Sequence, residues 1–187
     1  MKRYILLAVL LLGALLAQAQ VPQISLSYAY QGSQPVPGKS WFGMNGGRGD
    51  AVWTFGRYFA IVGEIGGGHT DHYGTGNSPL TLFTAMGGPR LYLIPRSRKG
   101  VPPRIAPFIQ VLGGGAYATQ GQFPQGGVIK NRAASVAASA GGGVEMRVRP
   151  HVAVRLIQAD YLYTQMPNAY DNYQGSFRVG AGVVFDW

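Results

Sequence analysis

Polar and apolar residues alternate with a period of two along most of this chain, the repeat of an extended strand whose successive side chains point to opposite faces. In the last eleven residues Phe177, Val179, Ala181, Val183, Phe185 and Trp187 share one face, and Arg178, Gly180, Gly182, Val184 and Asp186 share the other. The same alternation picks out Gln23 to Ser33, Trp41 to Phe55, Phe59 to His69, Leu80 to Ile94, Ile105 to Thr119, Ala133 to Val148 and Val152 to Gln165. Strands of about ten residues, apolar on one face and small or charged on the other, have the length and pattern of barrel staves that cross a bilayer. The expected fold is all-β, an eight-stranded antiparallel up-and-down transmembrane β-barrel whose last strand closes against the first.

The connections support that topology by alternating in length. Those at 33 to 40, 70 to 79, 120 to 132 and 166 to 173 are long, and those at 56 to 58, 95 to 104 and 149 to 151 are mostly short. Long outer loops and short periplasmic turns follow, with both chain ends on the periplasmic side. The stretch Gln120 to Arg132 is expected to be the longest loop. The turn at 95 to 104 is long for its class; its Arg96, Arg98, Lys99 and Arg104 are expected to be solvated and to meet anionic headgroups.

The first nineteen residues read differently. Lys2 and Arg3 precede an apolar run from Tyr4 to Ala17, and Ala17-Gln18-Ala19 has the small-x-small form of a cleavage site, so residues 1–19 are expected to be a cleaved secretory signal and 20–187 the barrel domain. Beyond it no apolar run approaches the roughly 18 residues a membrane helix needs. Absence of cysteine excludes disulfides, thiolate zinc sites and a lipid anchor through an N-terminal Cys. Charged residues are only 12% of the chain, whereas glycine (29) and tyrosine (11) are abundant, as suits an exterior facing lipid. The formal net charge of +9 points, in a secreted chain, to anionic lipid headgroups or lipopolysaccharide; nucleic acid is excluded by compartment.

With the strands placed, the chain resembles the small outer-membrane β-barrel proteins of the OmpA transmembrane-domain and opacity-protein type, which are porin-like in architecture. The resemblance rests on the signal, the amphipathic strands, and segments such as Gly141-Gly142-Gly143-Val144-Glu145, Arg155 to Tyr161 and Gly180 to Phe185. It implies the bacterial outer membrane as location. It also implies that Phe185 and Trp187 form a C-terminal signal read by the barrel-assembly machinery. A peptidoglycan-binding domain, frequent in that family after the barrel, is not expected here.

Strand parity then assigns the charges. With the apolar faces toward lipid, Arg48, Asp50, Glu64, Arg90, Glu145, Arg147, Asp160 and Arg178 all face the interior. Eight strands enclose only enough room for side chains, and charges away from bulk water persist only when paired. An interior network of Arg and Asp/Glu pairs is expected to plug the lumen, with Glu145 and Arg147 beside Asp160 and Asp160 beside Arg178. Arg155 breaks the parity: five positions before Asp160, it falls on the lipid face, snorkelling to the interface, unless its strand bulges.

Other motifs carry less. His69-Thr70-Asp71-His72 has metal-ligand and acid–base residue types but sits in a predicted loop, where a solvated stretch is the expected reading. Arg48-Gly49-Asp50 spells an integrin-binding tripeptide, yet parity turns both charges inward. The glycine triplets at 66–68, 113–115 and 141–143 are not phosphate loops, because no helix or Lys-Ser/Thr pair follows. Tyr28, Tyr30, Trp41, Trp53, Tyr58, Tyr117, Tyr161, Tyr163 and Trp187 lie toward strand ends, as interfacial girdles do. No catalytic residue, cofactor or metal is expected, and the protein is expected to be monomeric. The functional expectation is a structural or surface-interaction barrel. A small-solute or ion channel is the alternative, a lipid-modifying enzyme using His69 and His72 a more distant one, and a soluble lipocalin-like barrel would require the faces to be reversed.

Overall fold

A computed structural model describes residues 22–34, 41–73, 78–96, 103–125, 128–168 and 172–186; the predicted signal, Arg98, Lys99 and Trp187 lie outside them. The described residues form β1 (Gln23–Gln34), β2 (Phe42–Phe55), β3 (Phe59–Tyr73), β4 (Ser78–Tyr92), β5 (Ile105–Gln125), β6 (Val128–Arg149), β7 (Val152–Thr164) and β8 (Gln174–Phe185). They follow one another in sequence order around a closed antiparallel barrel. Closure joins the two ends of the chain: β8 pairs with β1 from Ile24 opposite Phe185 to Gln34 opposite Gly175.

Alternation decides which way each strand faces. In β1 the polar and small residues Gln23, Ser25, Ser27 and Ala29 are buried, while Ile24, Leu26, Tyr28 and Tyr30 are exposed. The outer wall continues through Ile65, Phe83, Val111, Val136 and Phe177, all at least half exposed. In water such a wall is unfavourable; each large apolar side chain moved fully out of water gains about 1.5–3 kcal/mol, so a hydrocarbon surround stabilises this face. Gly56, at φ +70°, makes the tight turn between β2 and β3, a conformation glycine adopts without strain.

Three stretches differ from the sequence reading. The segment Gln120 to Arg132 is not the longest loop: β5 and β6 run on as a hairpin to Gln125 and from Val128, with a register shift between Thr119 and Phe123 and Gln120 at φ 66°. Beyond the barrel rim neither face of a hairpin must meet lipid, so alternation fades and the strands cannot be recognised by it. The expected loop at 70 to 79 shortens in the same way, as β3 reaches Tyr73 and β4 begins at Ser78.

The turn after β4 is also not simply solvated. Arg104 is exposed, but Arg96 is buried, its guanidinium 5.3 Å from the Tyr92 ring centroid. A backbone hydrogen bond from Arg96 N to Arg57 O and a side-chain one from Arg57 Nε to Arg96 O draw this turn against the β2–β3 turn.

Candidate functional site: charge rings in the lumen

The lumen is layered. Toward the end that carries the long hairpins lies an apolar layer of Met44, Leu80, Leu82, Phe123, Leu162 and Met166. Toward the end that carries the chain termini lie Val52, Tyr92 and Phe108. Between them sit the charges, and here the strand register becomes chemistry.

Four of the charged side chains form a ring on the side nearer the termini, from β2, β4, β6 and β7. Arg155 makes a two-pronged contact with Asp50, Nη1 to Oδ1 at 2.7 Å and Nη2 to Oδ2 at 3.0 Å, and its Nη2 also donates to Glu145 Oε1 at 2.7 Å. Arg90 closes the circle, 3.2 Å from Asp50 and 3.5 Å from Glu145. Two guanidiniums alternate with two carboxylates, so each charge has an opposite neighbour on both sides. Supporting contacts are dense: Ser25 donates to Asp50 at 2.5 Å, Gln110 accepts from Arg90 Nη2 at 2.7 Å and from its Nε at 3.0 Å, and the Arg90 guanidinium lies 4.0 Å from the Phe108 ring centroid. We call this the proximal ring.

A second ring of the same composition lies above it, drawn from β2, β3, β7 and β8. Arg48 donates to Asp160 at 2.5 Å; Arg178 donates to Asp160 through Nε at 2.6 Å and to Glu64 at 3.1 Å. Its closing contact, Arg48 to Glu64, is 3.9 Å, beyond hydrogen-bond reach. Arg48 Nε and Nη2 and Glu64 Oε2 are buried without a hydrogen-bond partner. A Cβ at Gly180 would run into the Tyr28 carbonyl of β1 and lie 3.0 Å from Arg48 Nη2, so glycine there fits the close approach of β8 to β1 beside this distal ring.

The placement of the predicted residues is therefore specific. Arg48, Asp50, Glu64, Arg90, Glu145, Asp160 and Arg178 are each at most 4% exposed and belong to one ring or the other. Arg147 does not join them; it faces the mouth at the terminal end and pairs with Asp186, which also accepts from Gln23. Glu145 lies beside Arg155, not beside Asp160, whose neighbours in register are Gly141 and Arg178.

The physical reason is a bulge. Leu156 and Ile157 both face outward at 48% exposure, while Arg155 and Gln158 on either side are both fully buried. The ladder with β8 slips between the same residues, and the ladder with β6 slips beside Glu145. One extra residue in β7 returns Arg155 to the lumen, and its Nη1 donates to Gln158 Oε1 at 2.8 Å across the bulge. Arg155 was absent from the interior network read off the sequence. Its signal was available in the spacing of Arg155 and Gln158, three apart around two apolar residues, where strict alternation demands an even interval.

The remaining candidates separate. Arg48 and Asp50 are buried in different rings, so their tripeptide is not displayed on the surface. His69 and His72 lie on either side of Thr70, at a register shift in β3, and both are exposed. His69 contacts Thr81 Oγ1 at 2.8 Å and Asp71 at 3.1 Å, both imidazole and carboxylate being open to solvent. Phe185 is exposed on the outer wall.

Comparison with known proteins gives a consistent picture. A sequence model of the outer membrane protein beta-barrel domain matches residues 5–185. No curated protein sequence matches the chain. Among solved structures it is similar to Neisserial surface protein A, with a TM-score of 0.69 at 14% identity over 90% of this chain and 99% of that one. It is also similar to Ail, the attachment invasion locus protein of Yersinia pestis, in complex with the heparin analogue sucrose octasulfate (TM-score 0.54, 16% identity, 89% of this chain and all of that one). A third is OprG of Pseudomonas aeruginosa (TM-score 0.51, 9% identity, 91% and 97%). At these identities the structures share a fold with this chain.

Proposed function

We propose, from the premise that this chain belongs to the outer membrane protein β-barrel family and resides in the bacterial outer membrane, that it is a non-catalytic, non-conducting barrel with a structural or surface-interaction role. The observation that carries this reading is the pair of closed charge rings spanning the lumen. Each ring is neutral and ties four strands together, so it offers no net field for ion selection, and every carboxylate in it faces a guanidinium. Cavities beside the rings measure about 10 and 20 Å³, room for single waters at most. A concavity of about 710 Å³ is a shallow groove on the outer wall between Leu26, Tyr28, Ile65 and Phe83, outside the lumen.

In this reading residues 1–19 direct export, and Phe185 with Trp187 is read by the assembly machinery. The barrel works as a monomer among outer-membrane lipids and lipopolysaccharide, and what it meets in the environment it meets through its projecting hairpins. The rival reading, a small-solute or ion channel, draws on the unpartnered polar atoms of Arg48 and Glu64, which a water file would satisfy. Liposome swelling separates the two. Vesicles carrying the folded protein should swell in isotonic sugars and salts no faster than empty vesicles; sustained swelling would rule out the closed barrel.

A further inference from the structure

The outer wall of β1 to β4 is cut by a groove whose shape follows from strand register. Tyr28, Gly47, Gly67 and Phe83 form one row across the four strands, and Leu26, Gly49, Ile65 and Ala85 form the next row toward the chain termini. Tyr28 and Phe83 therefore stand on either side of two bare strands, and Leu26 and Ile65 on either side of one. The result is the concavity of about 710 Å³, wide toward the hairpin end of the barrel and narrowing toward the middle of the wall. There the Trp53 ring leans over Gly63, 3.9 Å from where a Cβ would sit, and ends it.

Packing between strands does not ask for the glycines on the floor. A Cβ at Gly47 would meet only the Ser27 carbonyl, at 3.5 Å, and one at Gly49 would meet the Leu26 side chain and the Ser25 carbonyl at 3.5 Å, which are ordinary contacts. At Gly46 or Gly182, by contrast, a Cβ would collide with the backbone of a neighbouring strand. Branched residues suit a sheet better than glycine does. The bare floor at Gly47 and Gly49 is thus a property of the outer surface.

One row further toward the hairpin end the wall turns polar, through Tyr30, Asn45, His69 and Thr81. Tyr28 Oη donates to Asn45 Oδ1 at 2.6 Å, His69 contacts Thr81 Oγ1 at 2.8 Å and Asp71 at 3.1 Å, and Thr81 donates to Gln120 at 2.9 Å. These groups are exposed, Thr81 partly.

Position and chemistry select the occupant. The wall stands in the outer membrane, with its hairpin end in the outer leaflet, so hydrocarbon meets the groove. Lipid tails are as apolar as the wall, and apolarity alone favours no particular lipid. Close contact along a bare backbone and hydrogen bonds to the polar row do. Across β1 to β4 that row offers amide, imidazole and hydroxyl groups with the Asp71 carboxylate beside them, and no Lys or Arg. Asp71 repels a phosphate, whereas hydroxyl-rich sugar finds donors and acceptors. We propose that the groove seats one acyl chain of an outer-leaflet glycolipid whose sugar is hydrogen-bonded by Asn45, His69, Asp71 and Thr81. This rests on the reading of lipopolysaccharide as a surrounding partner and gives that lipid a site.

The test uses the full barrel in phosphatidylcholine nanodiscs, with lipid A, lipid A stripped of its phosphates, or phosphatidylethanolamine of matched chain length as the probe. Native mass spectrometry should show both forms of lipid A retained about tenfold more tightly than phosphatidylethanolamine. Nuclear Overhauser contacts should join lipid A methylenes to the α-protons of Gly47 and Gly49. Gly47→Val with Gly49→Val fills the groove and should abolish both signals while the unboiled gel shift of the folded barrel is kept, a separation that a purely structural role for the glycines does not produce. His69→Ala with Asp71→Ala should remove the preference for lipid A and leave the methylene contacts. Absence of those contacts from the unmodified barrel overturns the proposal without any variant. Loss of retention on removing the phosphates also overturns it, by assigning recognition to phosphate. Equal retention of all three lipids sinks the site and leaves the closed, non-catalytic barrel standing, which liposome swelling tests separately.

Discussion

The two rings contain the same groups, two arginines and two carboxylates, in the same barrel, and yet they are built to different standards. In the proximal ring Asp50 takes hydrogen bonds from Ser25, from Arg90 and twice from Arg155. In the distal ring Asp160 takes bonds only from Arg48 and Arg178, and Glu64 only from Arg178. Each ring also leaves buried polar atoms without a partner, Arg48 Nε and Nη2 with Glu64 Oε2 in the distal one and Arg90 Nη1 with the Gln110 and Gln158 amide nitrogens in the proximal one, so the contrast lies in the bonds made. Burying charge costs several kcal/mol per ion, recovered only with good geometry and saturated hydrogen bonding. Charge balance alone therefore does not make a strong plug; the surrounding Ser25, Gln110, Gln158 and Phe108 do. In the closed-barrel proposal, the difference assigns closure of the lumen chiefly to the proximal ring and leaves the distal ring as the looser member.

Several substitutions bear on that contrast. The largest effect is expected at Asp50→Ala, which strands Arg90 and Arg155 together; unfolding in urea should show a loss of about 3–5 kcal/mol. Asp160→Ala removes the shared acceptor of the distal ring and should cost about 2–3 kcal/mol in the same assay, since fewer bonds are lost. If Asp160→Ala proved the more damaging, the ranking of the rings would be reversed. Double-mutant cycles sharpen the point at the level of pairs. The coupling of Arg155 with Asp50 should be about 3 kcal/mol, and that of Arg48 with Glu64, at 3.9 Å, about 0.5 kcal/mol.

How far the sequence carried this picture depends on what constrained each part. Where one face met lipid and the other a packed lumen, alternation was enforced: Ile24, Leu26 and Tyr28 face out against Ser25 and Ser27, and strand number, order and closure follow from that. The same parity turns Asp160 and Arg178 inward, where the register sets them opposite one another. It failed at Arg155, because one bulged residue inverts every parity beyond it. It failed again above the rim, where the outer face of the β5–β6 hairpin no longer has to meet lipid and only Phe123 and Ala133 keep an inward, buried face. Arg96 was misjudged for a third reason: a turn's length says little about whether it folds out into solvent or in across the mouth.

Closure of the lumen is the claim on which the rest depends, and single-channel recording in planar bilayers tests it most directly. The folded protein should give no steady conductance, and Asp50→Ala should be leakier than Asp160→Ala. A steady open current from the unmodified protein would contradict the account.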